Sequence, residues 1–83
     1  MEFKYNDVLT RPYKNAEIEI VVEDDIITTT KVFIDNKCVA CDDITTEDGK
    51  DVPYNRANYE KVMEIARNYV DAVWEENFTF VTR

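Results

Sequence analysis

Two stretches of this chain carry residue types that do chemistry. One is the pair in Cys38-Val39-Ala40-Cys41; the other is the carboxylate run Asp42, Asp43, Glu47, Asp48 and Asp51 that follows it. A Cys-x-x-Cys serves as a dithiol redox couple when its first cysteine opens a helix, whose dipole lowers the thiol pKa. It also serves as half of a structural zinc site, which takes four ligands. The chain has no other cysteine and no histidine to complete that set. Residues 38–41 read as a strand, and strand positions three apart project to opposite faces. The pair is therefore expected as one buried thiol, behaving as a small hydrophobe, and one surface thiol. The carboxylate run could offer oxygen ligands to a hard cation, but its spacing does not follow the alternating order of an EF-hand loop. It reads as a solvated connection.

Absent residue types narrow the chemistry further. The chain contains neither histidine nor serine, and its single glycine is Gly49. Without histidine no side chain titrates near neutrality unperturbed. Without serine a Ser-based triad is impossible, and one glycine cannot build either common phosphate-cradling loop. Carboxylates can still act as acids and bases, yet the set of nucleophile, base and oxyanion donor is not assembled. The expected protein is not an enzyme and needs no cofactor.

The elements that must position these groups follow from size and pattern. With 83 residues the chain makes one domain, residues 1–83. Its apolar share is 45%, enough for a small packed core and too much for a disordered acidic tail. Residues 16–23 alternate, with Ile18, Ile20 and Val22 on one side and Glu17, Glu19 and Glu23 on the other, which is the period of a half-buried strand. Asp24-Asp25 is a tight turn. Residues 26–34 are dense in β-branched side chains suited to a pleated surface. Asp35-Asn36-Lys37 is the next turn, and residues 38–41 form a third strand. The first fifteen residues hold Phe3, Tyr5, Val8 and Leu9 as a short edge strand or a helical turn, ended at Arg11-Pro12.

Asn55 is the expected N-cap of a helix reaching about residue 76. Tyr59, Val62, Met63, Ala66, Tyr69, Val70 and Val73 recur along it at helical spacing. Ile65 and Trp74 flank that stripe, and Glu60, Glu64, Asp71 and Glu75 occupy the other side. Residues 78–81 are read as a possible return strand. The expected fold class is α+β: an antiparallel sheet of three strands, or four with that return, and one long C-terminal amphipathic helix packed on one face.

Charge then restricts the partners. Eighteen acids against ten bases give a net charge of −8. Lys and Arg are scattered singly, so the basic patch of a nucleic-acid binder is missing, and an anionic membrane surface would repel the chain. No apolar run approaches the ~20 residues of a membrane span. The start of the chain lacks the apolar core of a secretory signal, so a reducing cytoplasm is the expected location. What this surface attracts is a basic protein.

Five acids fall at Glu17, Glu19, Glu23, Asp24 and Asp25, five more at Asp42, Asp43, Glu47, Asp48 and Asp51, and a third set lies along the helix. Carboxylates on one strand face repeat every ~6.8 Å, and at i, i+4 on a helix every ~6 Å. Both spacings are about twice the ~3.4 Å axial step between phosphates of one DNA strand. If the three sets lie together, they present a polyanion to a groove built for nucleic acid. Tyr5, Tyr13, Tyr54 and Trp74 either complete the core or supply the aromatic anchors common at interface centres.

With residues 17–25, residues 42–51 and the acidic helix at 59–76, the chain resembles small acidic bacteriophage counter-defence proteins, including anti-CRISPR proteins, several of which combine a three-stranded antiparallel sheet with helices. That resemblance implies a stoichiometric inhibitor, acting as a DNA mimic in the cytoplasm of a bacterial host. Its partner would be a basic nucleic-acid-binding protein such as a CRISPR effector, Cas9 included. It would bind no nucleic acid and no membrane itself, as a monomer or a homodimer. The expected contact set is Asp24, Asp25, Asp42, Asp43, Glu47, Asp48 and Asp51, because turns and connections can enter a groove. Two alternatives stay open: a regulatory or host-takeover protein gripping another nucleic-acid enzyme, and a metal or redox module built on Cys38 and Cys41.

Overall fold

The computed structural model describes residues 4–81, with side chains for residues 4–73. Five strands precede one helix: β1 (Asp7–Tyr13), β2 (Ala16–Glu23), β3 (Ile26–Ile34), β4 (Lys37–Asp43), β5 (Val52–Pro53) and α1 (Arg56–Val81). Strands β1 to β4 run as an antiparallel meander in sequence order, and β5 adds to β3 beyond the end of β4. The helix packs across one face, giving the expected α+β arrangement with a four-stranded meander.

The alternation in β2 works as its spacing requires. Ala16, Ile18, Ile20 and Val22 are all buried, and their partners across the ladder, Ile34, Val32, Thr30 and Ile27, share that face. Val62, Met63, Ala66 and Val70 close the core from the helix. Thr30, the one buried polar side chain among the described residues, donates its hydroxyl proton to the Glu19 carbonyl at 3.1 Å. That bond offsets the desolvation of a hydroxyl among isoleucines.

Two turns use residues that tolerate left-handed backbone. Asp24 and Asp25 have φ of 53° and 65°, and Asp35 and Asn36 have 53° and 66°. Positive φ at both central residues is the type I′ geometry whose twist matches flanking strands, and Asp and Asn enter it at the least cost after glycine.

Four departures from the sequence reading have local causes. Strand β1 continues through Arg11-Pro12 to Tyr13, because an edge strand tolerates proline's missing N–H. Strand β4 extends past Cys41 to include Asp42 and Asp43, paired with Thr30 and Thr29, so these two acids belong to a strand and not to the connection. Residues 78–81 continue the helix and form no return strand. Asp71 does not join the solvated side of α1: its carboxylate accepts hydrogen bonds from the Tyr13 hydroxyl at 3.0 and 3.1 Å and pairs with Lys14. Trp74 and Glu75 lie outside the residues whose side chains are described.

Candidate functional site: an acidic end of the sheet

In a meander, alternate connections leave from the same end. The β2–β3 turn, the end of β4, the β4–β5 loop and the start of α1 therefore meet at one end of the sheet. Register confirms it: Asp43 lies opposite Thr29, Val52 opposite Ile27 and Pro53 opposite Ile26, next to the Asp24-Asp25 turn. From Thr29 to Asp25 along β3 is four residues, about 13 Å at ~3.3 Å per residue. All seven expected contact residues, Asp24, Asp25, Asp42, Asp43, Glu47, Asp48 and Asp51, thus fall in one region. Asp7, opposite Val22, and Glu23, opposite Ile26, join them. Asp7 could not be found without knowing that β1 pairs with β2.

The expectation that all three acidic sets lie together is only half met. Glu17 and Glu19 stand on the sheet face away from the helix, Glu17 toward the far end, and Lys31 sits directly opposite Glu19. Opposition of unlike charges across the strands offsets Glu19, whereas Glu17 stands opposite Phe33. At the acidic end no such pairing is seen. Among the described residues the ion pair within 4 Å is Lys14 with Asp71, at the opposite end.

Local hydrogen bonds hold the acidic end in shape. Thr46 and Gly49 close a β-turn through the Gly49 N–H and the Thr46 carbonyl at 2.9 Å, with Glu47 and Asp48 at its apex. The Thr46 N–H donates to the Lys50 carbonyl at 2.9 Å, and the Lys50 N–H donates back to the Thr46 hydroxyl at 3.0 Å. Gly49 has φ +77°, a conformation that favours glycine. The loop is a clipped tip that presents two carboxylates.

Asp25 is the knot of this region. Its N–H donates to the Tyr5 carbonyl at 3.0 Å, its carboxylate accepts the Tyr5 N–H at 2.8 Å, and its carbonyl accepts the Tyr54 N–H at 2.7 Å. The Asp24 N–H donates to the Asn6 side-chain oxygen at 2.9 Å. Tyr5 stacks on Tyr54 with centroids 5.2 Å apart, and Tyr54 meets Tyr59 edge-on at 6.5 Å. Two of the aromatics considered as anchors are thereby engaged with each other, tying the N-terminal segment to the helix. Asp25 spends part of its carboxylate on the fold. Asp42 and Asp43, being successive on a strand, leave opposite faces, so one flat partner surface meets one of them.

Electrostatics separate structural acids from the rest. The Tyr5 hydroxyl, donating to Asp7 at 2.8 Å, holds that carboxyl below its ordinary range, helped by the Val8 N–H. The same bond raises the Tyr5 phenol. Asp71 is lowered by Lys14 first, and by the Tyr13 hydroxyl, against some desolvation.

The cysteines depart from expectation. Both Cys38 and Cys41 are exposed and free. Strand β4 bulges between the pairs Phe33↔Cys38 and Val32↔Ala40, leaving Val39 as the extra residue. One inserted residue changes the parity, so positions three apart share a face. Cys38 and Cys41 lie opposite Phe33 and Lys31, which both face away from the helix. The Cys38 thiol donates to the Ala40 carbonyl at 3.3 Å. Among the described residues no group of three or more Cys, Asp or Glu is placed to hold a metal ion. No helix among them is long and apolar enough to cross a membrane.

Between the β4–β5 loop and α1 runs an open groove of about 710 Å³. It is lined by residues 43–47, by Val52 and Pro53, and by Asn58, Lys61, Val62, Glu64, Ile65 and Asn68 of the helix. Ile65, one of these lining residues, is 62% exposed. Comparison of the chain with known protein families, with curated proteins and with solved structures gives no match.

Proposed function

We propose that this protein is a stoichiometric inhibitor that binds the basic nucleic-acid surface of a bacterial defence effector, acting as a DNA mimic. The proposed class is the bacteriophage anti-CRISPR protein, with Cas9 or a similar effector as target and the bacterial cytoplasm as the place of action. The observation that carries this reading is the convergence of turn, loop and strand-end acids on one end of the sheet, with no ion pair at that end among the described residues. Asp24, Glu47, Asp48 and Asp51 are the contact residues, joined by one or other of the strand neighbours Asp42 and Asp43, with Asp25 holding the turn that presents Asp24.

The mode of action follows from charge. Carboxylates fixed on a clipped loop and a type I′ turn compete with phosphates for the Lys and Arg that line a guide or DNA channel. Such charges chiefly set the association rate and the choice of partner. No cofactor enters. Salt therefore reports on the complex: raising it from ~50 to ~200 mM shortens the screening length below ~10 Å and weakens binding about tenfold or more. The direct test is a mobility-shift assay in which the effector meets its target DNA with increasing amounts of this protein. Loss of the DNA complex near one equivalent supports the proposal. An undiminished DNA complex at large excess refutes it.

A second reading has its own observation. The bulge at Val39 gathers two exposed thiols on one face, the two members of a dithiol redox pair or two of the four ligands of a thiolate metal site. Elemental analysis together with thiol titration decides it: zinc or copper at half an equivalent or more supports a metal module, and a metal-free folded protein with both thiols free turns against the reading.

A further inference from the structure

We infer that the groove between the β4–β5 loop and α1 is a docking slot for an arginine-bearing, otherwise apolar segment of a partner protein. The inference rests on the reading of the acidic end as a surface for a basic partner, and it names the side chain that would anchor there.

The groove's chemistry is two-sided. Its volume, about 710 Å³, falls within the ~300–1,000 Å³ of binding clefts. Ile44 and Val52 are half-buried and Ile65 is largely exposed, so an apolar wall stays open to water. Asp43, Glu47 and Glu64 line the same groove against a single cation, Lys61. A wholly apolar occupant would leave these carboxylates unmatched. A lysine would bring a strongly hydrated ammonium to an apolar wall. Arginine carries a planar, weakly hydrated guanidinium on an aliphatic stem. Its stem lies along Ile65 and Val52 while its head meets a carboxylate in forked geometry. Adjacent apolar residues of the partner cover Ile65. Buried arginine anchors of this kind are common among interface hot spots. The slot also abuts the clipped tip bearing Glu47 and Asp48, so a basic surface engaged by the tip brings its neighbouring segment to the groove.

The test uses three eight-residue peptides titrated against the full chain, with affinity from fluorescence anisotropy and location from amide NMR shifts. The first alternates leucine and arginine, the second replaces arginine with citrulline, and the third is octalysine. The first should bind roughly tenfold tighter than either of the others, shifting the Ile44, Val52 and Ile65 amides. The Ile65→Ser variant, altered at an exposed position, should lose most of that advantage while binding octalysine as before. The Glu47→Gln/Glu64→Gln variant should lose the preference for arginine over citrulline. Octalysine binding with no added affinity for the leucine–arginine peptide, and no effect of Ile65→Ser, would overturn the slot and leave the acidic end standing. Failure of octalysine to bind at all would overturn both.

Discussion

Replacing Asp25 with alanine should destabilise the protein by about 2 kcal/mol, and the reason is divisible. Asp25 sits at φ 65°, where an alanine Cβ costs roughly 1–2 kcal/mol that glycine avoids and Asn or Asp partly avoids. Its carboxylate also accepts the Tyr5 N–H at 2.8 Å. Losing that acceptor at an exposed site costs ~0.5–1 kcal/mol, the lower part of the hydrogen-bond range. Asparagine keeps both the acceptor and the tolerance for left-handed backbone, so Asp25→Asn should stay within ~0.5 kcal/mol of the parent. Glycine relieves the backbone but loses the acceptor and adds unfolded-state entropy, and should fall between. Urea unfolding followed by circular dichroism measures the series. With a slope of about 1–2 kcal/mol per molar for a domain this small, Asp25→Ala should unfold ~1–2 M earlier, and the order of stability should be asparagine, glycine, alanine. Alanine equal to asparagine would refute the account of the turn. Glycine as damaging as alanine would show that the backbone conformation carries none of the cost.

Other outcomes follow from the same structure. Ile18→Ala, at a side chain 0% exposed, should cost ~2–5 kcal/mol in urea unfolding, whereas Ile65→Ala should change stability by less than ~0.5 kcal/mol. Both thiols should react with a disulfide reagent in the folded protein, two equivalents in one fast phase, and a thiol that waits for denaturant would contradict the shared face. For Asp71 the folded pKa lies below the ordinary carboxylate value because of Lys14 and the Tyr13 hydroxyl. Its contribution to stability is therefore complete above that ordinary value and lost as pH falls through the depressed one. Asp71→Asn should lower stability at pH 7 and flatten the decline between about pH 5 and 2; an unchanged decline would exclude Asp71 as a cause.

Much of the fold is written in local patterns. Alternation placed β2 at its observed bounds, β-branched density did so for β3, and Asn55 caps α1 by accepting the Asn58 N–H at 2.8 Å. What local pattern did not hold was set by pairing. Strand β5 is two residues long and exists because Ile26 and Ile27 offer an open edge. Strand β1 runs through Pro12 because it has a neighbour on one side only. The bulge at Val39 reverses side-chain parity with no glycine to announce it, so strand alternation alone puts the two thiols on opposite faces.

The acidic region was legible in part. That the β2–β3 turn and the far end of β4 share an end follows from any antiparallel meander, so the sets at 24–25 and 42–51 were bound to meet. The strand acids Glu17 and Glu19 were bound to stay behind on a face, where Lys31 opposes Glu19. The local sequence around Asp25 shows its charge and its place in a turn. Its service to the Tyr5 segment depends on a contact across twenty residues, which no local window contains.

The central claim is that clustered carboxylates displace nucleic acid from a cationic cleft, and a plasmid-interference assay measures it. Cells expressing a CRISPR effector and a guide against the plasmid are transformed with and without this protein, and with a variant in which Asp42, Asp43, Glu47 and Asp48 are lysine. The variant leaves Asp25 in place and should keep the parent's circular dichroism. Across a panel of effectors that includes Cas9, the parent should restore transformation against at least one, and the folded variant should not. Protection by the variant equal to the parent's, or no protection by the parent against any effector, would contradict it.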